Sequence, residues 1–372
     1  MKKVVIIGGG IVGAATAYEL IQKNIDVTII DSEKKGRATS AAAGVICPWM
    51  TQRRNQAWYT LARNGALYYD SLIKQLKYDG QTNTGYKKVG MIRIDKEKVA
   101  LEKFADIANE RKKSTPEIGD ISFLTPEQTK DTFPYLKDDF HGLYIEHAAR
   151  VDGRALRDAL LEASVKRGAT YIKDEASLIM RESRIVGAHV VGKDIFADTV
   201  IVANGVWMPK VFEEIGIKVD VRAQKGQVID LIDDTETDEL PVVKPPNNQY
   251  MLTFDDGKVV IGATQENTNN LLPTSTAYGV HYVLNEAIKY APSLIDAEMN
   301  EIRVGFRPVT FNHAPMFGPL PQHDNVYIAT GLGASGLNIG PYIGKQLAKV
   351  INEENTDIDL TPFSVEKIVQ NH

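Results

Sequence analysis

Gly8, Gly10 and Gly13 stand in the G-x-G-x-x-G spacing, and Asp31 follows about 20 residues further on. Each residue type has a physical job in cradling a dinucleotide. Gly8 permits a tight turn, Gly10 lets a pyrophosphate approach the backbone, and Gly13 lets a helix pack closely on a strand. The helix start at Ile11 and Val12 then offers free N–H groups and a positive dipole to phosphate. Asp31 can accept hydrogen bonds from a ribose, and its charge disfavours a 2′-phosphate. Which dinucleotide binds stays open on these residues alone.

Further candidates lie along the chain. Gly36 to Gly44 is a run of small residues, including Thr39, Ser40 and Ala42, that lets the backbone come close to a flat ligand while Thr39 and Ser40 supply hydroxyls. The competing reading is an Ala-rich first helical turn. Ala203-Asn204-Gly205-Val206-Trp207 ends an apolar strand in small residues, and Thr330-Gly331-Leu332-Gly333-Ala334-Ser335-Gly336 follows another. Strand ends of this kind are where open α/β sheets hold ligands.

The elements needed to position these residues are legible. Val4 to Ile7 reads as a strand buried on both faces, Ile11 to Lys23 as a helix, and Asp26 to Ile30 as a second strand. Gln56 to Tyr78 has helical apolar spacing closed by Gly80. Val89 to Ile94 alternates like a strand, and a charged helix follows near Glu97 to Lys112. Thr125-Pro126-Glu127-Gln128 carries a capping-box signature. Asp152 caps a helix over 154–166. Runs beginning at Ser177, Arg184 and Lys193 read as a small meander, and Thr199 to Ala203 as a buried strand. Tyr250 to Phe254 and Lys258 to Gly262 flank an Asp-Gly turn and form a hairpin. Helices are expected over 278–290 and 341–351.

Composition narrows the class. A net charge of −5 leaves no basic footprint for nucleic acid. One cysteine, Cys47, excludes an intrachain disulfide and suits a reducing, cytoplasmic setting. The seven scattered histidines suggest no metal site. The N-terminal apolar run imitates a signal peptide, but cleavage after it would remove the strand and glycines that Asp31 needs. No stretch approaches the ~18 consecutive apolar residues of a spanning helix.

Taken in order, these motifs resemble the FAD-dependent amine and amino-acid oxidoreductases related to D-amino acid oxidase, glycine oxidase and sarcosine oxidase. Gly305-Phe306-Arg307-Pro308 with Pro315 completes the resemblance, which spans essentially the whole chain. It implies an α/β fold: a Rossmann-like FAD-binding domain of glutathione-reductase type interwoven with a mixed α+β substrate domain. The expected boundaries are 1–85, 141–221 and 304–372 for the first, and 86–140 and 222–303 for the second. FAD is expected at Gly8, Gly10, Ile11, Val12, Gly13, Asp31, Ser32, Thr39, Ser40, Ala42, Gly44, Ser177, Ala203, Asn204, Gly205, Trp207, Gly331, Gly333, Ala334, Ser335 and Gly336. No cysteine stands in the C-terminal half, so attachment is expected to be non-covalent.

By the same resemblance, Arg307 pairs with a substrate carboxylate and Tyr250 reaches or lines that pocket. Arg303, on the same strand face, competes for the role. The implied reaction moves hydride from the carbon bearing the amine to flavin, and the imine hydrolyses. Partners are then a small amino acid and dioxygen or another electron acceptor, and a homo-oligomer is compatible. Ala334 stands where glycine oxidases carry a large residue. The alternatives are a nicotinamide-dependent dehydrogenase, which leaves the second and third glycine-rich segments unexplained, and a non-catalytic flavin-binding sensor.

Overall fold

A computed structural model describes residues 1–371, with side chains placed through 369. A six-stranded sheet carries the N-terminal motif, in the order 316–320, 323–330, 199–202, 3–7, 26–30, 170–172. Lys3–Ile7 is central and pairs in parallel with Asp26–Ile30 and Thr199–Val202. Its Val4, Val5, Ile6 and Ile7 are buried, as strands covered on both faces require.

The helix Ile11–Ile21 packs on this sheet between the helices Gly153–Lys166 and Gly336–Ile351. Small residues set the close approach: a Cβ on Gly344 would stand 2.8 Å from the Ala15 Cβ. The last helix starts at Gly336, earlier than expected, and runs through Pro341. Proline removes the N–H that would bond the carbonyl four residues back. That carbonyl, Leu337 O, instead accepts the Tyr69 hydroxyl at 2.6 Å, so the helix passes the proline without an orphaned acceptor.

The second sheet is built from 91–95, 121–124, 141–145, 222–232, 242–244, 250–253, 258–262, 266–268 and 298–309. Two expected boundaries shift. His141–Ile145 pairs with Met91–Asp95 and Ile121–Leu124, so it belongs to this sheet and not to the first lobe. The strand Glu298–Val309 runs unbroken across 303/304 and pairs along Arg222–Ile232. The Asp-Gly hairpin forms as expected, with Asp256 and Gly257 both at positive φ.

Local signals behaved as their chemistry requires. Asn55 caps the helix Gln56–Tyr78 by accepting from the Trp58 amide, and Thr125 and Gln128 complete their capping box. Thr276 caps Ala277–Ile288, one residue ahead of the expected start. The small-residue run forms a single turn, Ala38–Ala41, then extends. Among the described residues no helix is long and apolar enough to cross a membrane.

Candidate active site

One continuous cavity of about 660 Å³ runs from the N-terminal glycines to the second sheet. That volume is in the range of cofactor and ligand sites, about 300–1,000 Å³. Gly8, Gly10, Ile11, Val12, Asp31 and Ser32 line one end, and Tyr250 and Arg307 line the other. Thr39, Ala42, Gly44, Ala203, Asn204, Gly205 and Trp207 line it between, as do Gly333, Ala334, Ser335 and Gly336.

Four expected contacts do not line the cavity. Gly13 is packed away: a Cβ there would lie 1.9 Å from Gly8 O, so its role is close helix–strand approach. Ser40 stands outside the lining, and its carbonyl accepts from Arg154 Nε at 3.0 Å. Gly331 packs on the turn at Thr310 and Ala314. Ser177 opens the first strand of the three-stranded meander, and the wall there is made by Asp174, Glu175 and Ala176 instead.

The dinucleotide end is held by residues far apart in sequence. The Thr39 hydroxyl accepts the Ile11 amide at 3.0 Å, while the amides of Val12 and Gly13 find no acceptor among the described residues. Asp31 Oδ2 receives Arg37 Nη1 at 2.9 Å and Arg157 Nη2 at 3.0 Å. Arg157 also donates through Nε to Gly9 O at 2.8 Å, so one guanidinium ties the glycine turn to the acidic residue. Sequence reasoning missed Arg157; its signal is a charged residue beside Leu156, Leu160 and Leu161 on the buried face of an amphipathic helix.

The middle segment is fixed from outside. Arg303 Nη1 donates to Ala42 O at 3.0 Å, and its other nitrogens bind Asp230 at 2.6 and 2.8 Å. This buried pairing removes Arg303 as a rival for substrate. Its role is to anchor the 39–44 segment.

At the far end Arg307 is half-buried and has no acid within ion-pair distance among the described residues. Nη1 donates to Thr264 O at 2.9 Å and to Gln224 Oε1 at 3.4 Å, leaving Nη2 and Nε free. Burial of the unpaired guanidinium pulls its pKa down. Burial pushes the Tyr250 phenol up, with Cys47 nearby adding to the effect, so the hydroxyl stays a donor. Cys47 lines the same region, and burial pushes its thiol up to about 12, so it is no thiolate near neutrality. Missed residues here include Arg93, Lys244, Met91 and Phe104. Met91 and Arg93 alternate along one strand, a pattern that could have shown they share a face.

The cavity's chemistry fits FAD. Three buried oxygens without hydrogen-bond partners, Asn204 Oδ1, Thr330 Oγ1 and Asn338 Oδ1, belong to residues that line it. Each such atom costs about 1–3 kcal/mol if left unsatisfied, which points to a polar ligand lying along this wall. The glycine turn, the free amides and Asp31 suit the diphosphate and ribose, and the small-residue segments suit a flat ring.

Comparison with known proteins gives the same direction. A sequence profile of the DAO family, described as FAD dependent oxidoreductase, matches residues 3–350. The chain is 46% identical over 365 residues to the uncharacterized oxidoreductase YurR of Bacillus subtilis (strain 168), covering 98% of each. It is 24% identical over 370 residues to a glycine oxidase of Pseudomonas putida, again covering 98% of each. Among solved structures, iminodiacetate oxidase (IdaA) from Chelativorans sp. BNC1 has a TM-score of 0.94 at 39% identity, covering 97% of this chain and 98% of that one.

Proposed function

The chain belongs to the DAO family of FAD-dependent oxidoreductases, and from that premise we propose that it oxidises the C–N bond of a small amino acid. Glycine, a D-amino acid or an N-substituted glycine fits the reading; the 39%-identical neighbour is an iminodiacetate oxidase, which supports a secondary amine among them. The observation that carries it is Arg307, an unpaired guanidinium on the wall of the cofactor cavity.

Bound FAD supplies the acceptor for a hydride from the carbon that bears the amine. Arg307 offers Nη2 and Nε to the two carboxylate oxygens, a geometry that fixes orientation as well as affinity. Thr264 O and Gln224 hold its remaining nitrogen, so the fork is preorganised. Tyr250, kept protonated by burial, donates toward the same carboxylate. The carboxylates lining the cavity among the described residues, Asp31, Asp174 and Glu175, are grouped at the adenosine end. Among the described residues no carboxylate therefore stands at the substrate end to take the amine's proton. The imine hydrolyses to a 2-oxo acid and an amine, and dioxygen or another acceptor restores the cofactor. A cytoplasmic setting, suggested by the single cysteine, belongs to the same reading.

The test is product identity: the FAD-loaded protein is given glycine, N-methylglycine, iminodiacetate and D- and L-amino acids under air and, in parallel, with an artificial electron-acceptor dye. The reading expects a 2-oxo acid with matching release of amine or ammonia. Absence of 2-oxo acid with every carboxylate-bearing amine sinks it.

A further inference from the structure

We propose that Arg93 and Lys244 form a second anion cradle in the active-site cavity, so that the substrate is a dicarboxylic amine held at one carboxylate by Arg307 and at the other by this pair. The inference rests on the reading that Arg307 takes the first carboxylate.

Arg93 and Lys244 are register partners on adjacent parallel strands, 91–95 and 242–244, and both line the cavity. Neighbouring strands lie about 4.8 Å apart, and like charges set directly opposite each other in a sheet are destabilising. Neither has a carboxylate within ion-pair distance among the described residues, and Arg93 makes no hydrogen bond to a protein acceptor there. Its Cζ instead stands over the Phe104 ring, 3.5 Å from the centroid. Lys244 Nζ donates to the carbonyls of Asn247 and Gln249, which fixes the 245–249 loop but leaves its charge unneutralised. Burial and the Arg93 charge draw the ammonium down to about 8. Two half-buried like charges with no acid within ion-pair distance are costly to fold; an anionic ligand group between them removes that cost.

The pair also connects to the first carboxylate site. Lys244 Nζ stands 4.7 Å from the Tyr250 ring centroid. Tyr250 faces Gly262 in the hairpin, and Arg307 donates to Thr264 just beyond it. Tyr250 thus lies on the wall between the two cationic groups, and a ligand spanning it meets Arg307 on one side and the pair on the other.

The experiment measures perturbation of bound-flavin absorbance in the holoenzyme by ligands that cannot be oxidised as amines. Malonate, succinate, glutarate and adipate are each titrated against the monocarboxylate of the same chain length. At least one dicarboxylate is expected to bind about tenfold or more tightly than its partner, as charge-assisted pairing supplies. Arg93→Gln and Lys244→Met should each erase most of that preference; should either fold poorly, the wild-type ligand pairs decide alone. Equal affinity within every pair overturns the proposal. Turnover of iminodiacetate against glycine, and of aspartate against alanine, then shows whether the second carboxylate lies on the nitrogen or on the side chain; measurable turnover with no gain from the second carboxylate in either comparison also overturns it. If dicarboxylates bind more tightly but no amine reduces the flavin, the cradle stands and the C–N oxidation reading fails.

Discussion

Arg307 reaches the cavity because the residue packed beneath it has no side chain. A Cβ on Gly226 would stand 2.7 Å from Arg307 Nη2 and 2.8 Å from Cζ. The obstructing atoms are the far end of a flexible side chain, so Gly226→Ala should fold and displace the guanidinium instead of unfolding the sheet. We expect normal flavin content with kcat/KM for amino acids reduced by about one to two decades, the scale of a weakened charged contact. Unchanged steady-state kinetics in that variant would mean the fork does not depend on this packing. The neighbouring Arg303 shows why residue type alone could not choose between the two arginines. Both stand on one strand face in sequence, but only the fold brings Asp230 to Arg303 and leaves Arg307 free.

Helices do more here than cover sheets. The helix Gly153–Lys166 delivers Arg157 to Gly9 O and Asp31, so Arg157→Met should raise the FAD dissociation constant about tenfold or more. With saturating FAD, kcat should stay within about threefold of wild type, since the residue acts on the handle of the cofactor; isothermal titration and saturating-FAD kinetics separate the two. The long helix Gln56–Tyr78 ends at Asp79, whose carboxylate takes Arg167 and the Tyr18 hydroxyl. Arg167 first, then Tyr18, holds Asp79 below its ordinary value of 3.8. A depressed carboxylate stabilises the fold above its unfolded pKa, and that stability is lost as pH falls through the folded value. Asp79→Asn should therefore cost about 2 kcal/mol near neutrality, lower Tm by several degrees, and flatten the acid limb of stability below about pH 4. A variant with wild-type Tm would show that the capping contact carries no net stability.

Elements closed by local chemistry were legible in the chain. Thr125 with Gln128, and the Asp256-Gly257 turn, act within a few residues of themselves, and each set its element where expected. What sequence hid was pairing at long range. His141–Ile145 carries no mark that it joins the second sheet, because its partners lie about fifty and twenty residues upstream by pairing, a non-local choice. The glycine turn and Asp31 were readable because their spacing is local, whereas Arg157, Arg93 and Lys244 acquire meaning only once distant strands and helices meet.

At the scale of the whole molecule, two sheets divide the work. The six-stranded sheet presents its strand ends and glycine turns to the cofactor, and the larger sheet turns a cationic, aromatic wall toward the same cavity. On the proposed reading the N-terminal motif is a handle, and the chemistry lies at the opposite end of the cavity, where Arg307 and Tyr250 stand. The most direct test of that division is a single-turnover measurement under anaerobic conditions. Wild-type and Arg307→Ala holoenzymes, each with bound FAD verified by absorbance, are mixed with a panel of amino acids and secondary amines. The account predicts that at least one carboxylate-bearing amine bleaches the wild-type flavin, and that the same amine bleaches the variant about two to three decades more slowly at limiting concentration. Failure of every amine to bleach the wild type, or equal rates in the two proteins, would contradict it.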